Sequence, residues 1–333
     1  MNWLRALLTA ALAWTCMATP GRAETDRLRI GLQYGLPYMQ LVLMQDQDLI
    51  GKRAREAGLT NLRAEFITVG GPAVINDGLI SGEMEIGAVG MSNLVTMWDK
   101  TRGQGGIRGL SGMNVMPLLL VTREPRIRTL ADYTPQDKIA LPSVKVSMQA
   151  MMLDILASKA FGEAEYRRLD PNTVSMGHPD AAAGLLAGGA AFTSHFSSLP
   201  YQYFELAKPG IHTVASSFDA IGPHSVSALA ATTKFRGENP KVVGVFLAAM
   251  QDATAMLQQH PRESAEAYLR ITHDKVTPDE LLAMMQGPGV AFTMQPRGAG
   301  NTAAFMFKVG LIKRQPESWH DLYFDTVPAE GGS

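Results

Sequence analysis

Apolar and polar positions along this chain change period several times, and each change marks an element. Residues 28–32, LRIGL, are a short apolar run and read as a strand. The next six, QYGLPY, hold the turn formers Gly35 and Pro37. Apolar positions then recur at helical spacing over 39–57 until Gly58 stops them, and 62–68 predicts a second strand closed by Gly70-Gly71. A helix from Pro72 and an apolar run at 86–89, IGAV, follow. Strand–helix–strand–helix–strand is the signature of a parallel sheet with helices on its faces. Ligands of such sheets bind beyond the carboxyl ends of the strands, which brings the loops 34–38, 70–71 and 90–92 to one place.

The stretch 72–92, PAVINDGLISGEMEIGAVGMS, has a plan that returns at 179–198, PDAAAGLLAGGAAFTSHFSS. Pro72 suits the first turn of a helix, where its missing N–H costs nothing, and Gly82 suits a left-handed C-terminal cap. Leu79-Ile80-Ser81-Gly82 aligns with Leu185-Leu186-Ala187-Gly188, and Ile86 with Phe192 in the strand that follows. The mouth Gly90-Met91-Ser92 aligns with Phe196-Ser197-Ser198, and His195 stands just before it. A single pair is too sparse for a solenoid. Either the similarity is chance, or the chain builds two lobes whose strand ends face a shared ligand. We take the second reading.

The rest of the pattern fits it. Strands are predicted at 108–113, 138–141, 174–176 and 211–214, with a short helix over 127–133 and a long one over 148–161. Ser147 is placed to cap that long helix, whose N–H groups and macrodipole favour an anionic group. Residues 217–220 read as a loop. The apolar runs 117–122, PLLLVT, and 225–233, SVSALAATT, resemble each other and read as the segments by which the chain enters and leaves the second lobe. Beyond them the chain is helical, over 241–259, 262–269, 281–286, 301–309 and 319–324, and these helices should pack back on the first lobe.

Composition narrows the class. Residues 1–23 carry a basic Arg5, an apolar centre and a small-residue site Gly21-Arg22-Ala23, the design of a secretory signal peptide too short to span a membrane. The one cysteine, Cys16, falls inside it, and Ala13-Trp14-Thr15 is a poor lipoprotein signal. Cleavage after Ala23 leaves about 310 residues, enough for two domains. That product has no cysteine, which excludes disulfides, thiolate catalysis and Cys-ligated metal. The expected product is exported, periplasmic and monomeric. A net charge of −1 with 18% charged residues offers no basic stripe for nucleic acid. Nineteen methionines against 7% aromatics suggest cores filled by adaptable side chains.

No nucleophile elbow, HExxH, P-loop or dinucleotide fingerprint occurs, and Gly103-Gln104-Gly105-Gly106 is only a glycine-rich loop, so an enzyme is not expected and no cofactor is. Candidate side chains for a binding site keep two readings each. His195 is either a core histidine bonded to backbone or a ligand contact at a strand end. Tyr34 and Tyr38 stack on a ligand or cover the sheet edge. Asp219 accepts from an amine or caps a turn, and Lys145 attracts an anion or is simply solvated.

Four segments in this order carry a resemblance: LRIGLQYGLPY at 28–38, LISGEMEIGAVGMSNL at 79–94, IALPSVKVSMQAMM at 139–152 and FRGENPKVVGVFLAAMQDA at 235–253. Together they resemble periplasmic solute-binding proteins of the nitrate/sulfonate/taurine class, akin to binders of thiamine-pyrimidine precursors. The resemblance implies an α/β clamshell of the type II periplasmic-binding-protein kind, each lobe a mostly parallel sheet flanked by helices. Lobe 1 would comprise 24–115 and 226–333, and lobe 2 residues 116–225. The lobes would close over a small anionic or heterocyclic ligand and deliver it to the membrane permease of an ATP-driven importer. The family's ligand loops fall on Tyr34, Pro37, Tyr38, Gly71, Gly90, Met91, Ser92, Val146, Ser147, His195, Phe196 and Asp219. The sequence Ser194-His195-Phe196 departs from many relatives, which carry Trp or Glu followed by Pro. Two alternatives share the fold: a ligand-binding sensor subunit for a membrane receptor, and a pyrimidine-precursor synthase. The second needs cysteines that the exported chain lacks.

Overall fold

The structure is a computed structural model describing residues 24–102, 106–189, 191–327 and 332–333. The expected signal peptide, with Cys16, lies outside the described residues, as does most of the glycine-rich loop at 103–106.

The strands in chain order are β1 (Arg27–Gln33), β2 (Arg63–Val69), β3 (Ile86–Gly90), β4 (Ile107–Gly112), β5 (Asn114–Val115), β6 (Leu119–Thr122), β7 (Ile139–Leu141), β8 (Thr173–Ser175), β9 (Ser194–Ser197), β10 (His212–Ser216), β11 (Ser227–Thr232) and β12 (Ala291–Phe292). They form two five-stranded sheets, ordered β2-β1-β3-β11-β4 and β8-β7-β9-β6-β10, plus the small β5–β12 pair. The two orders are the same plan. In each, three strands are parallel neighbours, a strand that crosses between lobes comes fourth, and a fifth closes the edge. The crossing strands β11 and β6 run antiparallel to both neighbours. Four of the five strands in each sheet share one direction, so each sheet is mostly parallel as expected, with a single reversed strand. A strand that connects to the other lobe meets the sheet from the opposite end, so it cannot share the direction set by the βαβ units.

The repeated unit occupies equivalent places. Helix Pro72–Ser81 ends on Gly82 at φ 79°, and helix His178–Ala187 ends on Gly188 at φ 80°, both left-handed caps open to glycine. The strands that follow, β3 and β9, each lie beside the first strand of their sheet. Both faces of the first sheet are buried, with Leu28, Ile30, Ile86, Ala88 and Leu229 on one and Val89, Ala228 and Ala230 on the other. Burying apolar surface at about 25 cal/mol per Å² is the main favourable term for such cores. The C-terminal helices pack on this lobe. Pro240–Gln259 lies against Met39–Asp46 and Leu49–Glu56, Pro261–Thr272 against Met39–Asp46, and Ala299–Lys308 against Met91–Thr101.

Two local expectations change. The helix predicted over 39–57 is two helices, broken at Gln47-Asp48, because Asp48 adopts φ 48°, a left-handed conformation that Asp tolerates better than most residues. Residues 217–220 are not a loop but belong to a short helix, Ser217–Ile221. Ser216 and Asp219 form a reciprocal capping box there, with the Asp219 carboxylate accepting from the Ser216 N–H at 3.0 Å.

Candidate functional site

The carboxyl ends of the two sheets face each other across a cavity of about 350 Å³, its mouth included. From the first lobe Gln33, Tyr34, Pro37 and Tyr38 line it after β1, with Pro72, Gly90, Asn93 and Val226. From the second lobe come Ser147, Met148, Gln149, His178 and Ser198. The lobes are shut on one another. The Leu36 N–H donates to the Leu199 carbonyl at 2.9 Å, and Gly35, at φ 111°, leaves no room there for a side chain, since a Cβ would stand 2.8 Å from that carbonyl oxygen. A Cβ on Gly71 would come within 2.8 Å of the Pro142 carbonyl oxygen, and one on Gly90 within 3.3 Å of the Met148 side chain. Glycine at these places lets the two backbones approach.

Four helices begin at this cavity. Pro72 is the first residue of Pro72–Ser81, and Gly90 caps Met91–Thr101. Ser147 caps Met148–Phe161, and His178 is the first residue of His178–Ala187. All four are ten residues or longer. Each presents unpaired N–H groups and a partial positive charge of roughly half a unit. Among the described residues no charged side chain lines the cavity. The side-chain groups present are neutral and mostly donors. Ser147 Oγ accepts from the Ala150 N–H at 3.3 Å, which leaves its own proton to donate. Gln33 Nε2 donates to the Tyr38 hydroxyl at 2.8 Å, and burial pushes the Tyr38 phenol well up, so it stays protonated. Ser198 Oγ is buried with no hydrogen-bond partner. Neutral donors and helix N-termini without a fixed cation are the means of holding a small anion.

Behind the second-lobe wall runs a chain of buried polar side chains. His195 Nδ1 meets Glu205 Oε1 at 2.5 Å, His195 Nε2 meets His178 Nδ1 at 2.8 Å, and His178 Nε2 meets Gln149 Nε2 at 3.0 Å. His195 and Glu205 are fully buried, and His178 and Gln149 nearly so. The carboxylate accepts from His195 Nδ1–H, which makes His195 Nε2 an acceptor, His178 Nδ1–H a donor and His178 Nε2 an acceptor. Gln149 must therefore turn its amide nitrogen to His178, and its orientation at the cavity is set. Burial, and next the nearby His195, hold the His178 pKa well below the usual histidine value, so the ring is neutral as this arrangement requires. The Tyr201 ring stacks on it, centroids 5.8 Å apart and 18° from parallel.

Of the residues singled out from the sequence, Tyr34, Pro37, Tyr38, Gly90 and Ser147 line the cavity. Gly71 stands one position before Pro72 and touches the other lobe. Met91 and Ser92 are buried in the helix behind Gly90, and the half-exposed Val146 lies outside the lining. His195 is not at the surface of the cavity. It sits one layer back and acts on it through His178. Phe196 points into the core, and Asp219 caps its own helix away from the cavity. Gln33, Asn93, Gln149 and His178 were not anticipated, and Ser198 only as part of the mouth Phe196-Ser197-Ser198. One signal pointed to His178: extended by two residues upstream, the repeat sets Gly177-His178-Pro179 opposite Gly70-Gly71-Pro72.

No family model matches the chain, and no curated protein matches it in sequence. Solved structures do resemble it. The alkanesulfonate-binding protein SsuA from Xanthomonas axonopodis pv. citri, bound to MOPS, superposes with a TM-score of 0.68 at 15% identity, over 88% of this chain and 96% of that one. The periplasmic aliphatic sulphonate-binding protein SsuA from Escherichia coli gives 0.63 at 17% identity, over 91% and 100%. The periplasmic nitrate-binding protein NrtA from Synechocystis PCC 6803 gives 0.62 at 14% identity, over 79% and 71%. Identities this low establish the fold, that of the two-lobed periplasmic binding proteins. Among the described residues no helix is long and apolar enough to cross a membrane.

Proposed function

We propose that this chain is the periplasmic solute-binding component of an ATP-driven importer and captures a small organic anion, of the sulfonate type, between its lobes. One observation carries the reading: four helix N-termini and several neutral donors converge on a cavity that contains no fixed charge among the described residues. Such a cavity binds anions through backbone dipoles and excludes water as the lobes close, which strengthens each polar contact. The solved structures it resembles bind alkanesulfonates and nitrate. The ligand-binding residues are Tyr34, Tyr38, Asn93, Ser147, Gln149 and Ser198, with backbone N–H groups after Gly90 and Ser147. The site reads as a binding site rather than a catalytic one, because both ring nitrogens of His178 are engaged within the protein and none is left to move a proton to substrate.

The chain, divided into lobe 1 (24–115 with 226–333) and lobe 2 (116–225), works as a monomer, and the shut form is what the permease recognises. Calorimetry with alkanesulfonates, nitrate and neutral analogues tests the reading. Binding of the anions and not of their neutral analogues is expected, with about 2.7 kcal/mol of added stability at a hundred times Kd. Equal binding of a neutral analogue refutes it.

A further inference from the structure

A second cavity, of about 540 Å³, opens beside the first and shares Gln33 and Tyr34 with it. Its chemistry is opposite. Tyr34, Tyr201 and Tyr268 line it, and among the described residues its one charged lining residue is an acid, Asp274. Asp274 follows helix Pro261–Thr272, which ends on His273 at a left-handed φ of 55°. The Tyr268 and Thr272 hydroxyls donate to the carboxylate, while its Oδ2 is buried and has no hydrogen-bond partner among the described residues. Asp274 forms no ion pair among the described residues, and its sequence neighbours His273 and Lys275 are exposed. Burial raises its pKa above the ordinary aspartate value.

A buried carboxylate oxygen without a partner is costly unless something neutralises it. Aromatic walls attract cations by their ring quadrupoles, most strongly where water is excluded. A metal ion would need several oxygen ligands converging on one point, and no cluster of metal-ligating side chains occurs among the described residues. We propose that this cavity binds an organic ammonium group, neutralised by Asp274 and enclosed by Tyr34, Tyr201 and Tyr268. Tyr201 belongs to the helix after β9 in the second lobe, and Tyr268 and Asp274 to the first, so the site is complete only when the lobes are shut. An ammonium seated there holds the lobes together, and through Gln33 and Tyr34 it is coupled to whatever fills the first cavity.

Titration of the whole protein with tetramethylammonium and with methylammonium tests this, beside potassium chloride at equal ionic strength and propanesulfonate as the anion probe. Saturable binding of an ammonium probe is expected, weakened about tenfold or more by Asp274→Asn and by Tyr34→Ala. Asp274→Asn should keep the wild-type propanesulfonate affinity and circular dichroism, which separates loss of the site from loss of the fold. No ammonium binding, undiminished binding by Asp274→Asn, or equal binding of potassium overturns the proposal. Ammonium binding that depends on Asp274 without any propanesulfonate binding supports it and overturns the anion reading instead.

Discussion

Replacing His195 by alanine is the most informative perturbation of the second lobe, because the ring joins two buried groups and does not line the cavity. Its removal strands the Glu205 carboxylate, fully buried and bonded through Oε1 to His195, and leaves the His178 Nδ1–H without an acceptor. Leaving the buried carboxylate charge without its partner costs about 3–5 kcal/mol, and an orphaned donor adds about 1–3 kcal/mol. Domains have only about 5–15 kcal/mol in hand. At about 2–4 °C per kcal/mol the melting temperature should fall by roughly 10–25 °C. Differential scanning calorimetry of His195→Ala, His195→Leu, Glu205→Leu and the double variant His195→Leu/Glu205→Leu measures it. The double variant removes both partners and should recover much of the single loss. A fall of less than about 3 °C for His195→Ala, or strictly additive losses in the double variant, would refute the hydrogen-bonded chain.

Other outcomes follow from the same geometry. Gly71→Val should prop the lobes apart, because a Cβ there meets the Pro142 carbonyl oxygen at 2.8 Å; small-angle scattering should show a larger radius with ligand present, and a radius equal to wild type would count against the closure contact. Ser147→Ala should lower stability by about 1 kcal/mol through the lost cap and also weaken anion binding, read by urea unfolding and calorimetry. Asp154, buried beside Asp170, is pushed up to about 8 by burial first and the neighbouring carboxylate second. Its folded pKa exceeds the unfolded one, so it costs nothing below about pH 4, and stability falls by a few kcal/mol, on the order of the shift, as pH rises to 8. Asp154→Asn should flatten that slope in unfolding curves. His224 is held down to about 4 by burial, so it contributes the opposite slope, stability lost as pH falls from about 6.5 to 4, and His224→Gln should remove it.

What was legible in the sequence was what local chemistry decides. Pro72, Gly82 and Gly188 mark helix ends by backbone geometry that proline and glycine alone dictate, and they fixed the repeated unit and with it the facing strand ends. Ser147 was readable as a cap for the same reason, and Tyr34, Pro37, Tyr38 and Gly90 came with the loops. The relay was not readable, because His178, His195 and Glu205 meet only after a sheet and two helices bring together residues that share no period. The burial of His195 likewise depends on packing, not on its place in a strand. The reversed strand of each sheet was hidden because strand polarity is a property of the connections, and the runs PLLLVT and SVSALAATT look alike whichever way they lie.

Those two crossing strands also set an order of folding. β4 is hydrogen-bonded to its sheet only through β11, whose residues come more than a hundred positions later, and Asn114 receives its buried Val226 N–H bond across 112 residues. The second sheet has no such wait, since its crossing strand β6 precedes the rest of it. A growing chain can thus complete the later lobe before the earlier one, and its N-terminal third stays short of its last strand until the C-terminal part arrives. Contacts of such separation fold slowly. Residues 107–112 are accordingly among the last to be locked into a sheet.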